Sequence, residues 1–274
     1  MKTRGINPFN NGYPRSHPYE DRRPADSIRN GDPATLHSKR IHEQTGYDVR
    51  TAYLHHGPSI EDAVHGLLDE DVEMIVAVPF LLSPRSSAAE KIRAELGLCT
   101  ENTFGTVRYG GKSAQVVLTG TFGDHQKMRT ILVQICDSHD ASPRNTSVLL
   151  IFHGKKDSSD IQYEERDAEY LRERGYEVSI AYERHQMPDI KNATENLLKS
   201  GRDILVIPMF VSPGRHTEET IPRILGLVGR KEKDMDVGGR TIRMMYADEV
   251  GMHPDITYIL KDRISEALQD SKKK

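Results

Sequence analysis

The sequence predicts an α/β fold: two tandem domains, each a four-stranded parallel sheet flanked by helices. Three observations carry this expectation. Short apolar runs rich in β-branched residues recur along the chain, notably residues 73–82 (EMIVAVPFLL) and 204–211 (ILVIPMFV). They are too short to cross a bilayer and apolar on both faces, as the strands of a covered parallel sheet are. In the second half, strand and helix patterns alternate four times, which is the signature of parallel strands with helices on both faces. The two halves also repeat. A shift of 129 residues places Gly46, Tyr47 and Val49 on Gly175, Tyr176 and Val178, Pro79 on Pro208, Ser83-Pro84 on Ser212-Pro213, and Leu96-Gly97-Leu98 on Leu225-Gly226-Leu227. Ungapped over 46–98, about 16 of 53 positions are identical, more than a shared fold class gives, so the chain is read as a duplication.

Taken in order, residues 1–33 are polar and punctuated by Asn10-Asn11-Gly12 and several prolines, and read as a lead-in without strand or helix period. A helix is expected from about 34 to 44, stopped by Gly46, and a strand over 49–54. Ser59-Ile60-Glu61-Asp62 reads as a capped helix start, followed by the strand at 73–82 and a helix from Ser87 to Leu96 that ends at Gly97. A glycine-rich connection, a strand at 114–118 and a helix over about 126–136 complete a domain spanning 34–137. Residues 138–146 carry turn formers without a period and read as the linker. The second domain, 147–274, has strands at 148–152, 177–182, 204–211 and 241–246. Its helices are expected over about 163–174, 190–200, from Thr217 onward, and 254–268.

A net charge of -3 and the absence of a long basic tract argue against nucleic acid as a partner. The opening MKTRGINPFN lacks the apolar centre of a signal peptide, and no run spans a membrane. A cytoplasmic protein is expected, with Cys99 and Cys136 as reduced thiols. No Walker loop, no GxGxxG after a strand and no GxSxG elbow is present, so nucleotide and α/β-hydrolase chemistry lose ground and no nucleotide cofactor is expected.

Open α/β sheets bind ligands outside the carboxyl ends of their strands. There stand His153, after the first strand of the second domain, and His216, between a strand and a helix. Neutral imidazoles ligate divalent Co, Ni, Fe or Zn and can act as bases near neutral pH, although a strand-end histidine can also merely cap a backbone group. In the repeat, His216 falls on Ser87 and His153 has no clear counterpart, so the first domain is read as degenerate. Glu183 and Arg184 follow another strand ending on the same rim; the carboxylate could hold metal or take a proton, or be a solvated loop acid. Lys155, Lys156 and Arg215 flank the histidines and suit a substrate with carboxylates, or are solvated loop charges. His185 has a counterpart in His56 and His253 in His125, which favours structural roles, and the His55-His56 pair lacks a third ligand at suitable spacing.

The strand ending in His153-Gly154, the VIPMFVSPGRH stretch followed by Ile221-Pro222, and the closing Tyr246-Ala247-Asp248-Glu249-Val250-Gly251 together resemble the class II tetrapyrrole chelatases, closest to the sirohydrochlorin cobaltochelatases. The resemblance covers nearly all of 147–268 and, more weakly, 34–137. Phe152 stands where that family usually has Gly, and Thr220 where it often has an acid. The resemblance implies two flavodoxin-like, chelatase-type domains in one chain, a pseudo-dimer expected to be monomeric with the site in the second half. It implies ATP-independent insertion of a divalent metal, Co2+ first and Ni2+ or Fe2+ as alternatives, into sirohydrochlorin in cobalamin biosynthesis. His153 and His216 would be metal ligand and proton acceptor, Glu183 would assist, and Lys155, Lys156 and Arg215 would meet the carboxylates of the macrocycle. The other reading is a non-catalytic metal or tetrapyrrole binder descended from a chelatase.

Overall fold

A computed structural model of the chain describes residues 3–9 (as backbone), 32–99, 102–156, 162–229 and 231–271. They form two compact units, Met1–His125 with Pro254–Lys274, and Gln126–His253.

The first unit contains β1 (Thr3–Phe9), α1 (Pro33–Thr45), β2 (Asp48–Tyr53), α2 (Ile60–Asp69), β3 (Met74–Ala77), α3 (Ser87–Glu95), β4 (Phe104–Tyr109) and β5 (Lys112–Leu118). Its helix ends are where the sequence signals place them. Asp32 accepts from the amides of Ala34 and Thr35 with Pro33 in the first turn, and Gly46 closes α1 in the left-handed conformation. Ser59 and Asp62 form a reciprocal capping box on α2. The sheet runs β2-β1-β3-β5-β4, parallel except for β4, which pairs antiparallel with β5.

The second unit opens with α4 (Lys127–Ser138), then β6 (Thr146–Phe152), α5 (Gln162–Arg172), β7 (Glu177–Tyr182), α6 (Ile190–Leu198), β8 (Asp203–Pro208), a π-helical turn (His216–Thr220), α7 (Ile221–Leu225), β9 (Glu232–Val237) and β10 (Arg240–Tyr246). Its sheet repeats the order, β7-β6-β8-β10-β9, again with one antiparallel edge strand, β9. The central strands are buried along nearly their whole length, which is why they read as unbroken apolar runs. One face of this sheet packs Leu149, Ile151, Val206 and Met244 against Ile190, Ala193 and Leu197 of α6 and Ile221 and Leu225 of α7.

The α/β class and the duplicated sheets agree with the sequence, and two features do not. Each sheet has a fifth strand: β4 lies in the stretch read as a glycine-rich connection, and β9 has the same place in the second unit. These edge strands mix exposed and half-buried residues and carry no apolar run. The lead-in holds a strand, β1, in the segment read as lacking one; residues 10–31 lie outside the described residues. TRGINPF has no β-branched apolar run, and its strand state is specified by ladders to β2 on one side and β3 on the other. The compact units are bounded at 125/126 and 253/254. Helix α4 belongs to the second unit, where it packs on α5, and α8 (Ile256–Ser271), last in the chain, belongs to the first. There Thr257 bonds the buried His37 at 2.8 Å, and Arg263 donates to the Thr121 carbonyl at 3.1 Å.

Candidate metal centre

In the second sheet β6 lies between β7 and β8, so the chain leaves β6 to one side, returns, and crosses to the other. The carboxyl ends of these three strands frame the switch point at which open α/β sheets take ligands. Each contributes one donor. His153 follows β6 directly, Glu183 follows β7 directly, and His216 opens the π turn after β8.

The β6–β7 pairing continues past both strands. The Glu183 amide donates to the Phe152 carbonyl and the Arg184 amide to the His153 carbonyl, both at 2.9 Å. This places His153 and Glu183 side by side, and Gly154 makes the approach possible. Its φ is +87°, and a Cβ there would overlap the Arg184 carbonyl. The glycine of the His-Gly pair is therefore required by close backbone approach.

His216 Nδ1 lies 3.1 Å from Glu183 Oε1, His153 Nδ1 lies 3.5 Å from Glu183 Oε2, and Arg184 Nε lies 2.9 Å from the same Oε2. The two imidazole centroids are 4.9 Å apart and nearly perpendicular, and Phe210 sits 6.1 Å from one ring and 6.5 Å from the other. One donor atom from each of His153, Glu183 and His216 fits within 4.8 Å of the others, and among the described residues this is the one such group of three.

Glu183 has a side chain only 3% exposed yet stays ionised. Burial raises its pKa, but the His216 hydrogen bond, with the Arg184 guanidinium beside it, outweighs burial and leaves it below the ordinary carboxylate value. An ionised carboxylate only accepts, so His216 Nδ1 carries the proton in this contact and its Nε2 lone pair is left for a ligand. Burial is the main influence on His153 and lowers its pKa to about 4; Glu183 opposes this, and His216, Arg184 and His185 add to it. His153 is thus neutral at physiological pH, the form in which imidazole binds metal. The set offers two nitrogens and one carboxylate oxygen, a donor combination that suits first-row divalent ions.

The cations predicted beside the site are placed unequally. Lys155 turns to α5, where its Nζ is 3.3 Å from the buried acid Glu164, and its amide donates to Gln186 Oε1 at 2.6 Å. Lys156 is exposed, and Arg215 is exposed with Glu219 3.8 Å away. Arg184, which the sequence reading left without a role, holds Glu183. Phe210 was hidden in an apolar run, and nothing local distinguished it from core. His56 packs on Tyr53 with centroids 4.0 Å apart. In the first unit, strand register puts Leu54 where the second has Glu183, and the repeat puts Ser87 at the place of His216. Asn10, which follows β1 in sequence as His153 follows β6, lies outside the described residues. At two of the three positions the first unit has no metal donor.

Comparison with known proteins identifies the family. The CbiX family model matches residues 26–138 and again 147–267. The sirohydrochlorin cobaltochelatase of Saccharolobus solfataricus is 33% identical over 120 residues, 43% of this chain and 93% of that protein. Among solved structures, SirB from Bacillus subtilis with Fe3+ superposes with a TM-score of 0.69 at 13% identity, covering 100% of this chain and 98% of that one. The SirB of Bacillus subtilis subspecies spizizenii in complex with cobalt gives 0.63 at 12% identity, with the same coverage. The structures share the fold, the family model spans both halves, and the chain belongs to the CbiX family of class II chelatases.

Proposed function

We propose that this chain inserts a divalent metal into sirohydrochlorin, with the centre in its second unit. The observation that carries the reading is the His153–Glu183–His216 group at the carboxyl ends of three adjacent strands. Insertion breaks two N–H bonds of the macrocycle and forms metal–nitrogen bonds, so one divalent ion enters and two protons leave. That balance needs no nucleotide, but it needs a place to hold the ion and a group to take protons. His153 and His216 hold the ion through neutral nitrogens. Glu183, ionised and hydrogen-bonded to His216, orients that ring and takes one of the two protons, the other passing to solvent. Lys156, Arg215 and Arg184 meet the substrate's carboxylates, with Lys155 joining them when it leaves Glu164.

Cobalt(II) is the metal in this reading because the S. solfataricus relative is named a cobaltochelatase. Nickel(II) and iron(II) suit the same donors, and the bound ion in one solved relative is Fe3+. The absence of donors at Leu54 and Ser87 supports one active site per chain, with the two halves acting as a monomeric pseudo-dimer. The test is an anaerobic absorbance time course of sirohydrochlorin with Co(II), with and without protein, repeated with His153→Ala and His216→Ala. Acceleration by the wild type that both variants lose is the expected result. Binding of the macrocycle with insertion left at the background rate would make the protein a carrier and overturn the enzymatic reading.

A further inference from the structure

We infer that Tyr246 is a positioning residue for His216: its hydroxyl holds the Thr217 carbonyl, which Pro222 leaves without a helical donor. In an α-helix each carbonyl accepts from the amide four residues on. In the turn His216–Thr220 the bonds are one residue longer, and the Ile221 amide donates to the His216 carbonyl. The next carbonyl, that of Thr217, would take its bond from residue 222. That residue is proline and has no N–H. A buried carbonyl left without a donor is costly, so the turn needs a donor from elsewhere.

Tyr246 supplies it. It is buried at the end of β10, two strands' width from β6, and its hydroxyl donates to the Thr217 carbonyl at 3.0 Å in a buried contact. The Thr217 hydroxyl closes the other side of the turn, accepting from the Gly214 amide at 3.1 Å and facing the Gly214 carbonyl at 3.3 Å. The residue beside His216 is thus tied at its carbonyl and at its side chain. The imidazole has little freedom to leave the direction in which Nδ1 meets Glu183. Single π turns concentrate at functional sites because they redirect a side chain, and here the cause of the redirection is identifiable.

The duplication provides an internal control. In the first unit the position of Pro222 is Arg93, and strand register places Leu118 at the position of Tyr246. There α3 is α-helical from Ser87 onward, with no π turn. Proline, tyrosine hydroxyl and π turn occur together in the unit with the ligand set and are absent together from the other.

The inference rests on the metal-site reading for one of its two readouts. Tyr246→Phe keeps the ring and removes the hydroxyl. Its Co(II) dissociation constant, from absorbance titration, should rise ~10-fold or more, as for loss of other groups that orient ligands. Its His216 ring signal, assigned in 15N imidazole spectra by its loss in His216→Ala, should broaden or split. Pro222→Ala restores an amide that can serve the Thr217 carbonyl. On that background Tyr246→Phe should change Co(II) binding by less than ~2-fold, because the two positions are coupled. Tyr246→Phe with unchanged Co(II) binding and an unchanged His216 signal overturns the inference, as do effects of the two substitutions that simply multiply. Should Tyr246→Phe fail to fold, the comparison of Pro222→Ala with the double variant decides. If the wild type itself binds no Co(II), the chelatase reading falls, and the His216 ring signal alone decides the positioning role.

Discussion

Replacing Gly154 by alanine tests the geometric basis of the metal centre directly. The backbone there has a φ of +87°, and the added methyl would meet the Arg184 carbonyl at overlap distance. Holding a non-glycine residue in that region costs ~1–3 kcal/mol. The methyl must also displace the end of β7, a backbone shift of the kind that overpacking forces at ~1–3 kcal/mol. A loss of about 4 kcal/mol is the central expectation, a large share of the 5–15 kcal/mol of a typical domain. At ~2–4 °C per kcal/mol for a chain of this size class, the melting temperature should fall by about 8–16 °C. Because the displaced segment carries Glu183, Co(II) affinity should fall with it. Gly214→Ala is the control: nothing lies within 4 Å of its added Cβ and its φ is not positive, so it should be neutral to within about 1 kcal/mol. Thermal unfolding followed by circular dichroism, with Co(II) titration of both variants, is the assay. A Gly154→Ala protein that melts with the wild type and binds Co(II) equally would refute the argument that this glycine sets the His153–Glu183 distance.

Glu183→Gln keeps the shape of the side chain and removes its charge, so Co(II) affinity should fall ~10–100-fold; an unchanged titration would exclude the carboxylate from the centre. Glu183 is held below its ordinary value of 4.5, so its stabilisation is present above that pH and is lost as pH falls through the lower folded value. Asp167 of α5 has the opposite sign. Burial pushes its pKa from 3.8 up to about 7, against Arg166 and Arg129, with Glu164 adding to the rise. The folded state therefore binds more protons than the unfolded one between about pH 4 and 7, and stability falls as pH rises through that window. The displacement corresponds to ~4 kcal/mol at most. Asp167→Asn should thus be more stable than wild type at pH 8 and gain little at pH 4. Urea unfolding at the two pH values reads the difference, and equal gains at both would contradict the assignment.

Much of the site was legible in the chain because its cues are local. His153-Gly154 and Arg215-His216 each follow an apolar run that ends in turn formers, and such a run in a parallel sheet ends on the ligand-binding rim. The repeat then distinguished the two units, since Ser87 stands where His216 does. The role of Glu183 was less legible. Its neighbours in sequence, Tyr182 and Arg184, do not reveal that a ladder extended past β7 carries it to within 3.5 Å of His153. Lys155 read as a rim cation, and its partner Glu164 belongs to the next helix.

By itself, the sequence determined the α/β alternation, the duplication, the helix caps and the two histidines at strand ends, because each depends on periodicity or on residues a few positions apart. Only the tertiary structure decided that TRGINPF is a strand, since pairing on both sides, and not an apolar run, specifies β1. Only it assigned α8 to the first unit and α4 to the second, because helix packing takes no account of chain order. It alone joined Tyr246 to Thr217 across 29 residues. A proline removes a donor locally, and the donor that replaces it can come from any strand that folding brings within reach.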